Sequence, residues 1–99
     1  MSLFVVEHQH PADRCPAQNP DMAPMLLRQL SAENAAGYDV TVQGEAVIDG
    51  AHTLVLILDA PDPESVQRFM APFAQAGTVD IKPASSCEAV VERGTCEAL

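Results

Sequence analysis

The sequence predicts one small α+β domain whose elements run β-α-β-β-α-β. Its four strands form an antiparallel sheet of order 4-1-3-2 with two helices on one face, and a helical tail follows. Three observations carry this. Strand-like stretches alternate with two amphipathic helical ones within 99 residues, a length that supports a single core. Asp49-Gly50 links two strand-like arms as a hairpin. The first and third strands are apolar on both faces and the other two on one, which puts the first and third in the middle of the sheet.

Leu3 to His8 opens the fold, β-branched and aromatic, with Leu3 and Val5 alternating with Phe4 and Val6. Prolines 11, 16 and 20 then exclude regular structure and stiffen a loop that carries Cys15. Asp21 is the expected cap of a first helix, with Met22, Leu26 and Leu30 on one stripe, Leu27 widening it and Gly37 as the stop. Met22, Met25 and Met70 fall at core spacing.

Tyr38 to Ile48 alternates cleanly, Tyr38, Val40, Val42, Gly44, Ala46 and Ile48 on one side and Asp39, Thr41, Gln43 and Glu45 on the other. A two-residue turn at Asp49-Gly50 returns the chain through the apolar arm Ala51 to Asp59. Asp62 and Pro63 start a second helix bearing Val66, Phe69, Met70 and Phe73, with Pro72 expected to kink or end it. Thr78 to Pro83 is the last strand. Residues 1–84 make the domain and 85–99 an extension, in which Ser85 and Glu88 form a capping box and Gly94 ends a short helix.

Two such helices cover one face of the sheet. The other face retains enough apolar surface that a homodimer with a barrel-like interior is expected, the alternative being a monomer whose tail folds over that face.

Composition narrows the partners. Fourteen acidic against five basic residues, a formal charge of −9, repel a phosphate backbone and argue against nucleic acid. The longest apolar run, Leu54 to Leu58, is far short of a membrane span, and no leader pattern opens the chain, so a soluble cytoplasmic protein is expected. Three cysteines with no CxxC spacing do not make a disulfide framework. Cys87 and Cys96 are read as a buried thiol and a tail thiol.

Chemistry concentrates in FVVEHQHPADRCP, Phe4 to Pro16. His8 and His10, two apart at a strand end, project from one face and can chelate one ion. The first strand runs antiparallel to the third, so its end lies beside the start of the third, where His52 stands. Cys15 can swing back to complete a set of His8, His10, His52 and Cys15, whose imidazoles and thiolate suit Zn, Ni, Co or Cu. Pairing Val47 with His52 places His52, Leu54, Leu56 and Leu58 on a face with Glu45, Gln43 and Thr41, turned away from the helices. With His8 and His10 on that face too, the site opens into the dimer cavity, whereas a bulge would break it up. Against this stands plain structure: Glu7, Asp13 and Asp49 are near enough in sequence to hydrogen-bond these rings at a solvated strand end.

The string FVVEHQHPADRCPA, with GYDV, the hairpin before AHTLVLILDA and the FMAPF…VDIKP ending, resembles a small bacterial and archaeal family of uncharacterised ferredoxin-like domains opening with VEHxHxPxxCP. The resemblance covers about residues 3–84 and leaves the Cys87/Cys96 tail outside. It implies a ferredoxin-like fold as a dimeric α/β barrel and no particular activity. Three readings stay open. One is a non-enzymatic metal-binding protein, another an enzyme or small-molecule-binding barrel using these histidines in an interior cavity, and the third a structural or regulatory dimer with no site. No catalytic set is legible.

Overall fold

The computed structural model describes residues 2–97, so Met1, Ala98 and Leu99, the last two within the predicted extension, lie outside the described residues. Strand β1 spans Ser2–Gln9. Two 3-10 turns follow, Ala12–Arg14 and Pro16–Gln18, then helices α1 (Ala23–Gln29) and α2 (Ala32–Ala36). Strands β2 (Thr41–Ile48) and β3 (Thr53–Ala60) lead to α3 (Pro63–Ala74), β4 (Thr78–Ala84) and α4 (Cys87–Arg93).

All pairings are antiparallel and the sheet order is β2-β3-β1-β4, which from the β4 edge is 4-1-3-2. The two strands with two apolar faces, β1 and β3, are the central ones. Phe4, Val6 and His8 lie opposite Leu58, Leu56 and Leu54, and all six are buried. Helix α3 covers this face with Val66, Phe69, Met70 and Phe73. Asp62 caps it, accepting from the Ser65 N–H at 2.8 Å, with Pro63 behind the cap. Pro72 sits in the last turn, so the helix reaches Ala74.

The face assignment of the histidines differs from the expected one. Leu54, Leu56 and Leu58, and His8 with them, lie under the helices and not on the open face. A bulge in β2 is the cause. Val42 pairs with Leu58 but Gly44 pairs with Ile57, so Gln43 is the extra residue and the alternation flips there. Val42 therefore faces the helices, whereas Ala46 and Ile48 join Val5, Val55 and Ile57 on the open face. The hairpin is also longer than two residues: Ile48 pairs with Thr53 and Val47 with Leu54, leaving Asp49 to His52 as the loop.

The first helical segment breaks in two. Ser31 interrupts it, donating its hydroxyl to the Arg28 carbonyl and accepting from the Asn34 N–H, and thereby caps α2. Asp21 caps nothing; its own N–H bonds the Asn19 side chain. Gly37 closes α2 in an ordinary right-handed conformation, while Asp39 takes the left-handed one at φ 61°. Helix α1 leans on the second 3-10 turn and on α2 and sets the half-buried Leu26 against the core, but none of its residues is fully buried. Met22 and Met25 are exposed, unlike Met70.

Helix α4 starts at Ser86, whose hydroxyl accepts from Ala89 N–H, and stops at left-handed Gly94. Ser85 takes no part in the cap and accepts from Arg93 instead. Both Cys87 and Cys96 are exposed free thiols. Among the described residues α4 has no extended contact with another element, and Val91 is 78% exposed. The molecule is correspondingly long, 46 × 29 × 18 Å.

Candidate metal centre

Three chain segments meet where β1 ends. The first contributes His10, one residue beyond the strand. Its N–H donates to the His52 carbonyl at 3.2 Å, extending the β1/β3 ladder past the Gln9–Thr53 pair and tying both backbones together. Gly77, just before β4, packs against the same peptide. A Cβ there would stand 2.0 Å from the Gln9 carbonyl oxygen and 3.0 Å from the His10 Cα, so only glycine fits.

The second segment is the hairpin loop. His52 closes it with φ 49°, a left-handed conformation that costs an L-residue about 1–2 kcal/mol. Thr53 supports the loop, donating its hydroxyl to the Ala51 carbonyl at 3.0 Å. The third is the proline-rich loop. Cys15 stands between the two 3-10 turns, its N–H donating to Ala12 and its carbonyl accepting from Gln18. Pro16 starts the second turn, so the half-buried thiol is presented from a short stiff segment.

The result is a group of three. One donor atom each from His10, Cys15 and His52 lies within 4.8 Å of the other two, all three residues being half-buried. The rings of His10 and His52 meet edge to face at 5.3 Å. Both ring nitrogens of His10 are buried and have no hydrogen-bond partner in the protein. Leaving a polar atom in that state costs about 1–3 kcal/mol, which coordination would relieve at one nitrogen.

Of the four residues expected from the sequence, His8 stands outside this group. It is buried between β1 and α3, its ring 5.5 Å from that of His10 and edge-on to Phe73 at 5.2 Å. Its Nδ1 lies 2.9 Å from the Thr78 carbonyl, and a carbonyl only accepts, so Nδ1 carries the proton. Burial holds the His8 pKa below the usual 6.5; the Thr78 bond opposes this in part and the charge of His10 adds to it. Burial, then the charge of His52, likewise lowers His10. Both rings thus favour the neutral form that binds metals. None of Glu7, Asp13 and Asp49 forms an ion pair with these rings among the described residues.

Beside the triad runs a cleft of about 880 Å³, between the proline-rich loop, α1 and the end of α3. Cys15 and His8 are both in its wall, so the site opens on the helix side of the sheet and not on the open face where the dimer interior was expected. The sequence reading missed Gly77 and the Thr78 carbonyl. A glycine directly before a strand was the signal, and it became readable only with Gln9 known to lie opposite Thr78.

Residues 2–95 match the profile of a domain of unknown function, DUF3303. The chain belongs to the DUF3303 family. The match takes in α4 and Cys87 as well as the sheet, and stops short of Cys96. No curated protein matches this DUF3303 chain. Among its described residues no helix is long and apolar enough to cross a membrane.

Proposed function

We propose that this DUF3303 domain binds one transition-metal ion through His10, Cys15 and His52, for storage, sensing or structural stapling, with His8 held behind His10 as a supporting ring. The carrying observation is the convergence of the three donor atoms within 4.8 Å. Around a tetrahedral ion at ordinary Zn–N and Zn–S lengths, donor atoms stand about 3.3–3.6 Å apart. Side-chain rotations that close the group by about an ångström therefore suffice. Two imidazoles and a thiolate suit Zn(II), Co(II), Ni(II) or copper and are the wrong donors for Mg(II) or Ca(II).

The test is elemental analysis and chelator-competition titration of untagged protein. About one ion per chain is expected, bound at least tenfold more weakly after Cys15→Ala or His10→Ala. Wild-type protein that takes up no Zn, Co, Ni or Cu overturns the reading.

A ferredoxin-like fold that pairs through its open face is the second part of the proposal. Ile48 and Ile57 are 51% and 44% exposed there, beside Val5 and Val55, an apolar stripe running from the edge strand β2 across the central strands that a second copy would cover. The oligomeric state in solution tests it.

A further inference from the structure

We infer that the cleft beside the triad binds a monocarboxylate with a hydrocarbon tail, its carboxylate completing the coordination of the metal and its tail lying between α1 and the end of α3. This rests on the metal reading above. Three protein ligands leave a tetrahedral ion one position short, the pattern of sites that accept an exogenous ligand. Cys15 belongs both to the triad and to the cleft wall, so a molecule in the cleft is adjacent to the ion.

The lining selects the tail. Met22, Met25, Leu26 and Phe73 face the cleft, and its volume of about 880 Å³ is within the range of small-molecule sites. Two of these residues are exposed methionines, Met22 at 40% and Met25 at 53%. Flexible, polarizable side chains standing in water beside a concave wall mould to apolar ligands. Helix α1 rests on the second 3-10 turn and on α2 and sets Leu26 against the core, which leaves the cleft open between it and the end of α3.

The head group follows from charge. Arg14 is in the cleft wall and forms no ion pair among the described residues. Asp13, also in the wall, cancels that charge in the metal-free protein. A divalent ion with one thiolate adds a single positive charge, so the loaded cleft attracts one carboxylate and the metal-free cleft does not. A chain of net charge −9 has little other reason to hold an anion.

Co(II)-loaded protein is the test, because its visible spectrum reports the ligands around the ion while octanoate is titrated in, with acetate as the tailless control. Octanoate is expected to change the spectrum at concentrations at least tenfold below acetate. Two variants that leave the three ligand side chains in place, Met25→Trp to fill the cleft and Arg14→Gln to remove its cation, should retain Co(II) affinity and weaken octanoate roughly tenfold each. A spectrum unmoved by octanoate on protein that binds Co(II) overturns the inference and leaves the metal reading intact. Acetate acting as well as octanoate, or both variants responding like wild type, also overturns it, since the anion then meets the ion without the cleft. Protein that takes up no Co(II), Zn, Ni or Cu removes both readings.

Discussion

Replacing Gly77 by alanine is the sharpest test of how the candidate centre is held. The added Cβ would lie 2.0 Å from the Gln9 carbonyl oxygen, 2.9 Å from its carbon and 3.0 Å from the His10 Cα, all backbone atoms that cannot rotate aside. Cβ contacts below 3.0 Å essentially do not occur, so the peptide leading to His10 must retreat by about 1 Å. Overpacking of this kind costs about 1–3 kcal/mol. Coordination distances hold to within about 0.2 Å, so a His10 backbone displaced by about 1 Å must be offset by further side-chain rotation, and metal binding should weaken about tenfold through a residue that touches no metal. Urea denaturation reads the first effect and chelator competition the second, on protein shown to be folded by circular dichroism. Gly44→Ala is the control, since a Cβ there meets nothing within 4 Å. A folded Gly77→Ala protein with wild-type metal affinity would refute the reasoning, because His10 would then be free to move without consequence.

Other outcomes follow from the same geometry. His52→Gly should relieve the left-handed strain and stabilise the metal-free protein by about 1 kcal/mol, while metal affinity falls at least tenfold; thermal melts with and without Zn separate the two. For the metal-free protein, His8 and His10 have native pKa values below 6.5. Between those lowered values and 6.5 the unfolded chain binds more protons than the native one, so stability is full above 6.5 and falls as the pH drops through that window. Urea midpoints taken from about pH 8 to about pH 5 should show the decline, with a shallower slope in His8→Phe; an unchanged slope would remove His8 as a cause. Ile57→Lys puts a charge in the middle of the open face and should halve the solution mass measured by light scattering while leaving metal content unchanged. Cys87→Ser with Cys96→Ser should leave metal stoichiometry as in wild type, both thiols being exposed on or after α4.

Much of this arrangement was legible because it depends on local rules. Two apolar faces on Leu3–His8 and on Leu54–Leu58 make those strands central whatever the loops do, and Asp62-Pro63 marks a helix start by backbone chemistry alone. The meeting of His10 with His52 needed only an antiparallel β1 and β3. What failed were features set by single residues in competition with their neighbours. Gln43 enters β2 as a bulge, tied to Asp59 by a 3.3 Å hydrogen bond, and one inserted residue inverts the faces of everything before it. Asp49-Gly50 signals a two-residue turn, yet the left-handed positions are taken by Gly50 and His52, which lengthens the loop and lifts His52 off the strand. Ser31 has the spacing of a helix interior, but its hydroxyl finds the Arg28 carbonyl and starts a new helix. The exclusion of His8 from the triad rests on the Thr78 carbonyl, a backbone atom no pattern of side chains reveals.

The three converging residues are distributed unevenly along the chain. His10 and Cys15 are separated only by part of a proline-stiffened loop, whereas His52 is reached after α1, α2 and the whole of β2. An unfolded chain can therefore grip an ion with the first two and cannot add the third until β1 and β3 have zipped to their last pair. On the proposed metal reading, binding to the unfolded chain would subtract from the ion's benefit to the native one, so the net effect on melting temperature would report the gain from adding His52 and fixing the geometry. It would also give assembly a direction: the ion would be held loosely first, and pairing of β1 with β3 would lock it in place.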